Sequence, residues 1–211
     1  MLKKALVGAL GTLLLAGTAN AVTVVAVNGP YVAPSFTVST LYDFEDGLQP
    51  ANFAGGAVIP ANENTSSHAP PAGDTTNYYS VGPGDTTPLD VDLTGIDKRR
   101  ISLYWGSMDG YNDLELVGLG YVINGMDVAS PAAGGQGDFA QNRRVDIWLT
   151  ESEAASLTGL QFRSNTNAFE FDNLAFGAVP EPATWAMMIG GFGLVGGAMR
   201  RRNRSTAVVT A

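Results

Sequence analysis

Short segments in which apolar and charged residues alternate constrain the fold of this chain more than any other feature of its sequence. In residues 89–93, two leucines and a valine alternate with two aspartates, a period-two pattern that buries one face of a strand and exposes the other. Turn sequences such as Asp109-Gly110 separate such segments. The pattern predicts an all-β fold, an antiparallel β-sandwich. We expect its strands at residues 40–44, 89–93, 100–105, 114–119, 121–124, 144–149, 160–163 and 168–176.

Three segments depart from this pattern. Residues 22–38 contain Asn28-Gly29-Pro30, which predicts an irregular lead-in. Residues 49–88 are rich in Gly, Pro, Asn, Thr and Ser, and they predict long loops around one strand near Tyr78. Thr150 and Glu153 have the spacing of a capping box, which predicts one short helix. Because no long amphipathic helix is visible elsewhere, a parallel β-α-β fold is disfavoured.

Charge and cysteine content exclude several functions. Residues 22–179 contain nineteen acidic and six basic side chains. Phosphate backbones bind clustered lysines and arginines, so nucleic acid is not an expected partner. The chain has no cysteine, which excludes disulfides, thiolate nucleophiles and thiolate metal sites. The domain must therefore depend for stability on its own core, alone or together with a bound cation.

The N-terminal segment has the three parts of a secretory signal peptide. Lys3 and Lys4 precede an apolar segment at residues 5–16, and Ala19-Asn20-Ala21 supplies small residues at the expected cleavage site. We predict cleavage after Ala21, so that the mature chain begins at Val22.

The C-terminal segment combines an uncharged apolar stretch with a basic cluster. No residue from 182 to 199 is charged, and Arg200, Arg201 and Arg202 follow directly. This length is at the lower limit for a transmembrane helix, since a hydrocarbon core of about 30 Å needs about 20 apolar residues. Arginines favour the cytoplasmic side, which predicts that the preceding domain lies outside the cytoplasmic membrane.

The order of elements in this segment is more specific than a plain membrane anchor requires. Pro180, Glu181 and Pro182 are followed by Trp185 and Ala186, a glycine-rich apolar helix and the arginine cluster. This order resembles the PEP-CTERM sorting signal in its PEPxxWA variant. The resemblance implies that an exosortase, a membrane cysteine peptidase or transpeptidase, processes the tail. Family members are exported proteins of bacteria that make exopolysaccharide.

These features divide the chain into four parts. We predict a signal peptide at residues 1–21, an exported β-sandwich domain at residues 22–178, a sorting and transmembrane tail at residues 179–204, and a cytoplasmic end at residues 205–211. The expected location is the outer side of the cytoplasmic membrane, followed by the cell surface or the extracellular space after processing.

Two acidic segments lie near the ends of the domain, at residues 42–47 and 169–174. They resemble segments of jelly-roll carbohydrate-binding modules, in which the first and last strands meet and hold a structural calcium ion. The resemblance implies a jelly-roll-like sandwich whose oxygen ligands suit calcium. The alternative is that these acidic strand ends are solvated surface. The implied ligands are Glu45, Asp46 and Asp172, with Asp43 and Asn173 as secondary candidates.

Candidates for catalysis and sugar binding are weak. His68 is the only histidine, and we expect it to be a solvated loop residue because no second histidine or cysteine is present to build the usual nucleophile or zinc constellations. Two carboxylates can hydrolyse a glycoside, but a chain with nineteen acids brings two together in almost any fold. Aromatic faces can bind sugars, although core packing is their commoner use. The aromatic candidates are Tyr104, Trp105, Tyr111 and Trp148.

Three functions therefore remain open. We favour a surface protein without enzymatic activity, associated with extracellular polysaccharide or biofilm matrix. The alternatives are a surface protein that binds carbohydrate and a glycan-active hydrolase. Analogy of fold does not decide among them.

Overall fold

The computed structural model describes residues 6–7, 12–15, 22–28, 31, 33–34, 36–83, 88–106, 108–129, 142–178 and 182–204. For residues 6–7, 12–15, 182–187 and 201–204 it describes the backbone alone. The chain divides into two compact units, Met1–Ala178 and Val179–Ala211.

The described residues form strands and a few helices. In chain order the strands are β1 (Leu6–Val7), β2 (Thr12–Leu15), β3 (Thr23–Asn28), β4 (Thr37–Tyr42), β5 (Phe53–Ala54), β6 (Ala57–Ile59), β7 (Tyr78–Val81), β8 (Leu89–Asp92), β9 (Arg100–Gly106), β10 (Asn112–Val117), β11 (Tyr121–Asn124), β12 (Arg143–Trp148), β13 (Gly159–Ser164) and β14 (Phe169–Ala178). The helices are α1 (Gly125–Val128), α2 (Glu151–Ser156) and α3 (Pro182–Arg204).

The strands are arranged in two antiparallel sheets. The main sheet has the order β1-β2-β3-β12-β9-β14-β7-β6, and β4 also pairs with β14. The second sheet has the order β11-β10-β13-β8-β5. The predicted all-β fold with antiparallel sheets is thus confirmed.

Aromatic rings join the two sheets across a shared core. The ring of Phe162 in the second sheet stacks on that of Phe171 in the main sheet at 4.4 Å between centroids. The ring of Trp105 stacks on that of Phe169 within the main sheet at 4.3 Å. All four side chains are completely buried. Because such pairs contribute about 0.5–1.5 kcal/mol each beyond the burial of their area, this cluster stabilises the contact between the layers.

The period-two pattern sorts the side chains of β8 as predicted. Leu89 and Val91 are buried, whereas Asp90 and Asp92 are exposed. The capping box is also confirmed, since Thr150 N donates to Glu153 Oε2 at 2.8 Å and Glu153 N donates to Thr150 Oγ1 at 3.3 Å. These local signals therefore fix both a strand and the start of α2.

The predicted irregular lead-in is wrong in its first part, because residues 23–28 form β3. This strand pairs with β12 on one side and with β2 on the other. Val24 and Ala26 are completely buried. The three valines of β3 favour extended backbone because their side chains branch at Cβ.

Residues 49–88 contain more strand than predicted. The strand near Tyr78 is confirmed as β7, which pairs with β14 and with β6. The short strands β5 and β6 were not predicted, and β5 extends the second sheet beside β8.

Strands β1 and β2 lie within the segment predicted to be a signal peptide. β2 pairs with β3 along residues 12–15. Cleavage after Ala21 concerns processing of the chain, and it stays a prediction.

Candidate sorting motif and buried carboxylate site

Helix α3 contains most of the predicted sorting signal. It begins at Pro182, which suits a first helical position because proline has no backbone N–H to leave without a partner. Pro180 and Glu181 lie outside the described residues. Trp185 and Ala186 lie in the first turns of α3, with their backbone described and their side chains not.

The C-terminal end of α3 is basic. Arg200, Arg201 and Arg202 lie in its last turns, with the side chain of Arg200 exposed and those of the other two outside the description. Cations near a helix C-terminus interact favourably with the helix dipole. The basic cluster therefore suits the end of α3 at which the sequence places it.

The middle of α3 exposes apolar side chains. Its glycines have open space around them, with no atom within 4 Å of a Cβ placed on Gly190, Gly191, Gly193, Gly196 or Gly197. Among the described residues, no helix combines the length and apolar character needed to cross a membrane. The predicted helix is confirmed, and the predicted membrane span is not supported. The exposed apolar side chains, between 46% and 78% accessible, are Met188, Ile189, Phe192, Leu194, Val195 and Met199.

In the domain, the face of the main sheet that points away from the shared core carries polar side chains. The register places Asp172 of β14 and Arg144 of β12 on either side of Tyr104 in β9, and Asp146 opposite Ser102. Residues opposite each other in adjacent strands share a face. All five are nevertheless buried. We call this surface the polar outer face, and its burial requires cover and hydrogen-bond partners.

The segment between β6 and β7, residues 60–77, supplies this cover and is called the covering loop. Ala69 N donates to Glu170 Oε1 at 3.1 Å. The hydroxyl of Tyr104 donates to the carbonyl oxygen of Ala72 at 2.5 Å. Polar groups of the sheet therefore hold the backbone of the loop.

The covering loop brings Asp74 to Asp172. Thr76 Oγ1 lies 2.5 Å from Asp74 Oδ1 and 3.2 Å from Asp172 Oδ2, so one hydroxyl group contacts both carboxyl groups. Asn173 Nδ2 donates to Asp172 Oδ2 at 2.5 Å. Asp172 is completely buried and Asp74 is partly buried. Two buried oxygens, Asp74 Oδ2 and Asp172 Oδ1, accept no hydrogen bond from the described residues.

Negative charge is in excess at this site. Burial, and next the charge of Asp74, raise the pKa of Asp172 to about 8. Burial, and next Asp74, also raise the pKa of Tyr104 to about 12. Burial and then Asp172 raise the pKa of Tyr31. All three pKa values rise for the same two reasons, because desolvation and a neighbouring negative charge each disfavour an anion.

The guanidinium group of Arg144, on this face, is paired with a carboxylate. Arg144 Nη2 lies 2.9 Å from Asp146 Oδ2, and both side chains are at most 10% exposed. Arg144 Nη1 donates to the carbonyl oxygen of Ala33 at 2.7 Å. Breaking a buried ion pair costs about 3–5 kcal/mol, so this pair is a structural part of the polar outer face.

The predicted calcium ligands are brought together only in part. β4 pairs with β14, so the two acidic segments are neighbours as expected. Glu45 and Asp46 are exposed, and Asp46 Oδ1 accepts a hydrogen bond from Leu48 N at 2.9 Å. Within the described ranges, no group of three or more His, Cys, Asp or Glu side chains is placed to hold a metal ion. The set Glu45, Asp46 and Asp172 therefore does not fit a calcium site, because Asp172 is buried beside Asp74 and the other two face solvent.

The secondary calcium candidates have local roles. Asp43 Oδ1 accepts a hydrogen bond from Glu45 N at 3.4 Å. Asn173 has a positive φ of 53°, a conformation that asparagine tolerates better than most residues. It lies where the pairing of β14 with β9 shifts register. Its side chain is bound to Asp172, as described above.

The remaining candidates differ mainly in exposure. His68 Nε2 lies 3.4 Å from Glu63 Oε1 in the covering loop. Tyr104 and Trp105 are completely buried, so neither can offer a ring face to a sugar. The Tyr111 hydroxyl donates to Asp109 Oδ2 at 2.7 Å. Trp148 is 40% exposed, and Arg100 Cζ lies 4.6 Å from the centroid of its ring.

Sequence reasoning missed Asp74 and Thr76. Both lie in a segment whose composition predicts only a loop. A weak signal is present, since aspartate and threonine at this spacing form local turns, and Thr76 N indeed donates to Asp74 Oδ1 at 3.0 Å.

Comparison with known proteins identifies the C-terminal segment. Neither the curated proteins nor the solved structures gave a match. Residues 178–202 match the family model of the PEP-CTERM protein-sorting motif. The matched segment includes the Pro-Glu-Pro sequence, the start of α3 and its first arginines. The chain thus carries a PEP-CTERM protein-sorting motif, which marks it as an exosortase-targeted surface or extracellular protein.

Proposed function

We propose that this protein is exported, recognised by an exosortase through its C-terminal motif, and released from its tail to function at the cell surface. The observation that carries the proposal is the match of residues 178–202 to the sorting motif. In this proposal, Pro180, Glu181 and Pro182 are the recognition sequence. Helix α3 presents them at the membrane where the enzyme resides.

The character of α3 supports an encounter with the membrane. Exposed apolar residues such as Phe192 and Leu194 favour an apolar environment. The arginine cluster favours the cytoplasmic leaflet, where basic residues are enriched. We propose that α3 holds the precursor at the membrane with its domain outside until processing.

For the domain we propose a structural role in extracellular polysaccharide or matrix, without catalysis. Its acidity supports this role, since nineteen acidic side chains in residues 22–179 keep the domain soluble and separate from other anionic surfaces. Asp172 does not suit the role of a hydrolase carboxylate, because it is buried and glycoside hydrolysis requires both carboxyl groups to reach the substrate.

One observation favours carbohydrate binding as a second candidate. Trp148 is 40% exposed, with Arg100 over one face of its indole ring, and a remaining aromatic face with an adjacent polar group suits a sugar ring. In this candidate, Trp148→Ala lowers retention of the full chain on the purified exopolysaccharide of the producing bacterium, whereas the exposed Leu48→Ala does not. Equal retention of both variants and wild type would exclude Trp148 as the binding residue.

Sorting is tested by replacing Pro180, Glu181 and Pro182 with alanine in a host that contains exosortase. We expect the unprocessed form to accumulate in the membrane fraction, because α3 and its arginines remain. The measurement is the mass of the C-terminal peptide in membrane and surface fractions.

The matched control replaces Ser205 and Thr206 with alanine, since both lie beyond the matched residues 178–202. This control should be processed like wild type. Identical processed products from the motif variant and the control would contradict recognition through Pro-Glu-Pro.

A further inference from the structure

The carboxyl groups of Asp74 and Asp172 meet in a buried site that has too few hydrogen-bond donors for two anions. Asp74 lies in the covering loop and Asp172 in β14, and their carboxyl groups are within hydrogen-bond reach of each other. The Thr76 hydroxyl contacts both groups, but it has a single proton to donate. Asp74 Oδ2 and Asp172 Oδ1 are buried and accept no hydrogen bond from any other described group.

One proton between the two groups removes this deficit. A protonated carboxyl group donates one hydrogen bond and can still accept others, so a proton on either aspartate joins the two groups. Carboxyl groups that share a buried site do not ionise together, because adjacent anions repel each other. The pair therefore titrates as a unit and keeps one proton after the first is lost.

No counter-charge replaces this proton. Among the residues that the structure describes, no lysine or arginine lies within ion-pair distance of Asp74 or Asp172. Arg144, on the same face, is held 2.9 Å from Asp146. Two ionised aspartates would thus be buried together without a cation, a state that costs several kcal/mol.

Other titratable groups face the pair or the covering loop. The three tyrosines among them stay neutral where the pair loses its proton, because burial raises the pKa of Tyr104 to about 12 and also raises those of Tyr31 and Tyr78. The remaining groups are Glu170 of β14, Arg144 and Asp146 of β12, Glu63 and His68 of the covering loop, and the exposed Asp43, Glu45 and Asp46 of the segment that Asn77 contacts.

We propose that Asp74 and Asp172 share one proton that holds the covering loop on β14, and that loss of this proton in alkaline solution releases residues 73–77. Deprotonation leaves two anions side by side in a site without a counter-charge. Movement of Asp74 into water hydrates one of them, and this gain favours the open loop. The pair is thus a pH-sensitive switch for the cover of the polar outer face.

The release is local. Ala69 N donates to Glu170 Oε1 at 3.1 Å, and Ala72 N donates to Asn142 Oδ1 at 2.9 Å. These two contacts do not involve the aspartate pair. The loop therefore opens first at the end that carries Asp74, while its middle stays on the sheet.

The sign of the pH dependence follows from Asp172. Burial, and next the charge of Asp74, raise its pKa from 3.8 to about 8, against hydrogen bonds from Asn173 and Thr76 that lower it. Between these two values the unfolded chain has lost this proton and the folded chain has kept it. Stability therefore falls as the pH rises through this interval, since the folded state binds more protons. The loop is closed below about pH 8 and opens above it.

The experiment measures hydrogen exchange of residues 73–77 and the melting temperature of the full chain at about pH 6 and about pH 9, on either side of the pKa of Asp172. Each exchange rate is divided by the intrinsic rate at that pH. We expect wild type to lose protection of residues 73–77 at the higher pH and to melt at a lower temperature. Protection of β9 and β12 should persist and serves as the internal reference.

Two asparagine variants test the shared proton. Asp172→Asn replaces the protonated acid with a neutral group that still donates to Asp74, so residues 73–77 should stay protected at both pH values. The variant should melt close to wild type at the lower pH and above it at the higher pH. Asp74→Asn should remove the same response from the side of the loop, and it decides the question if Asp172→Asn fails to fold.

Two further variants are matched controls. Asp90→Asn removes an exposed acid from β8, and it should keep the pH response of wild type. Glu170→Gln neutralises the other buried acid of β14, and residues 73–77 should still lose protection at the higher pH.

Three results would overturn the proposal. One is equal protection of residues 73–77 in wild type at both pH values, a result that needs no variant. Another is a difference between Asp172→Asn and wild type that is the same at both pH values, which would show a packing role alone. The third is a pH response that Glu170→Gln removes and the two asparagine variants keep, which would assign the response to Glu170.

Discussion

Apolar residues and glycines have opposite surroundings in the domain and in helix α3: they are closely packed in the domain and open to solvent in the helix. In the domain, Phe162 is completely buried, whereas in α3 Phe192 is 74% exposed. A Cβ on Gly125 would clash with the backbone of Asp109, whereas a Cβ on Gly193 would meet no atom within 4 Å. Packing within the domain therefore requires these residue types. In helix α3 the apolar side chains and the glycines make no packing contact that would require them.

This difference indicates that the residues of the domain serve the stability of the fold, whereas those of α3 serve sorting. Most helical stability in proteins comes from packing of an apolar face, and glycine disfavours helix by about 1 kcal/mol relative to alanine. A requirement for helix stability therefore does not explain why α3 has several glycines and exposed apolar side chains. Its match to the sorting motif explains the same residues through recognition by other molecules.

Removal of a core ring should have the largest effect. Phe162→Ala takes away the ring that stacks on Phe171 and meets Phe169 edge-on at 5.1 Å. We expect the free energy of unfolding of the full chain to fall by about 3–5 kcal/mol. Phe192→Ala in α3 should change it by less than about 0.5 kcal/mol, because the ring is exposed. Urea unfolding followed by circular dichroism compares the two, and similar losses would contradict the contrast between the units.

Added methyl groups should have the next largest effect. Gly125→Ala places a Cβ against Asp109, whose backbone nitrogen would be 2.8 Å away. Overpacking of this kind costs about 1–3 kcal/mol. Gly193→Ala has free space and should stabilise α3 by about 0.8–1.0 kcal/mol through helix propensity.

The melting temperature of the domain measures the effect of Gly125→Ala. The helical content of the full chain, measured by circular dichroism, reports the effect of Gly193→Ala. If Gly125→Ala leaves the melting temperature unchanged, the close packing of α1 against Asp109 is not a requirement of the fold.

Loss of a helix cap should have a moderate effect. Thr150→Ala removes the side-chain acceptor for Glu153 N at the start of α2. We expect a loss of about 1 kcal/mol in the free energy of unfolding. The counterpart Thr184→Ala lies near the start of α3, and it should leave unfolding of the domain unchanged. A loss with Thr184→Ala as large as that with Thr150→Ala would show that the two units unfold together.

Surface charge should have the smallest effect. Arg163 and Glu115 form an ion pair with 41% and 25% of their side chains exposed. Arg163→Gln should therefore cost at most about 1 kcal/mol, and the loss should shrink at high salt. Arg200→Gln in α3 should cost the domain nothing. Denaturant curves at low and high salt test both, and a salt-independent loss with Arg163→Gln would indicate a packing role for its side chain.

Local sequence patterns were sufficient for much of the fold. The alternation in residues 89–93 and the spacing of Thr150 and Glu153 each act over a few residues, so the sequence reveals them directly. Strand β11 agrees with its predicted bounds. By contrast, β3 was missed because the turn signal at Asn28-Gly29-Pro30 outweighed the run of valines that precedes it.

The outer face of β12 shows where pattern reasoning stops. Alternation places Asp146 on the opposite side from Val145 and Ile147, and this assignment to a face is correct. Its burial is not deducible from β12 alone, because it depends on the ion pair with Arg144 and on the elements that cover the face.

The sequence by itself determined the strand-rich domain, the capping box and the sorting motif at residues 178–202, because each depends on residues that are close together in the chain. The tertiary structure alone decided that Asp172 meets Asp74 instead of Glu45 and Asp46. Thr76, which contacts both aspartates, is 96 residues from Asp172 in the sequence. Such a contact forms only when a loop folds over a completed sheet, and no local pattern of apolar and charged residues encodes which loop that will be.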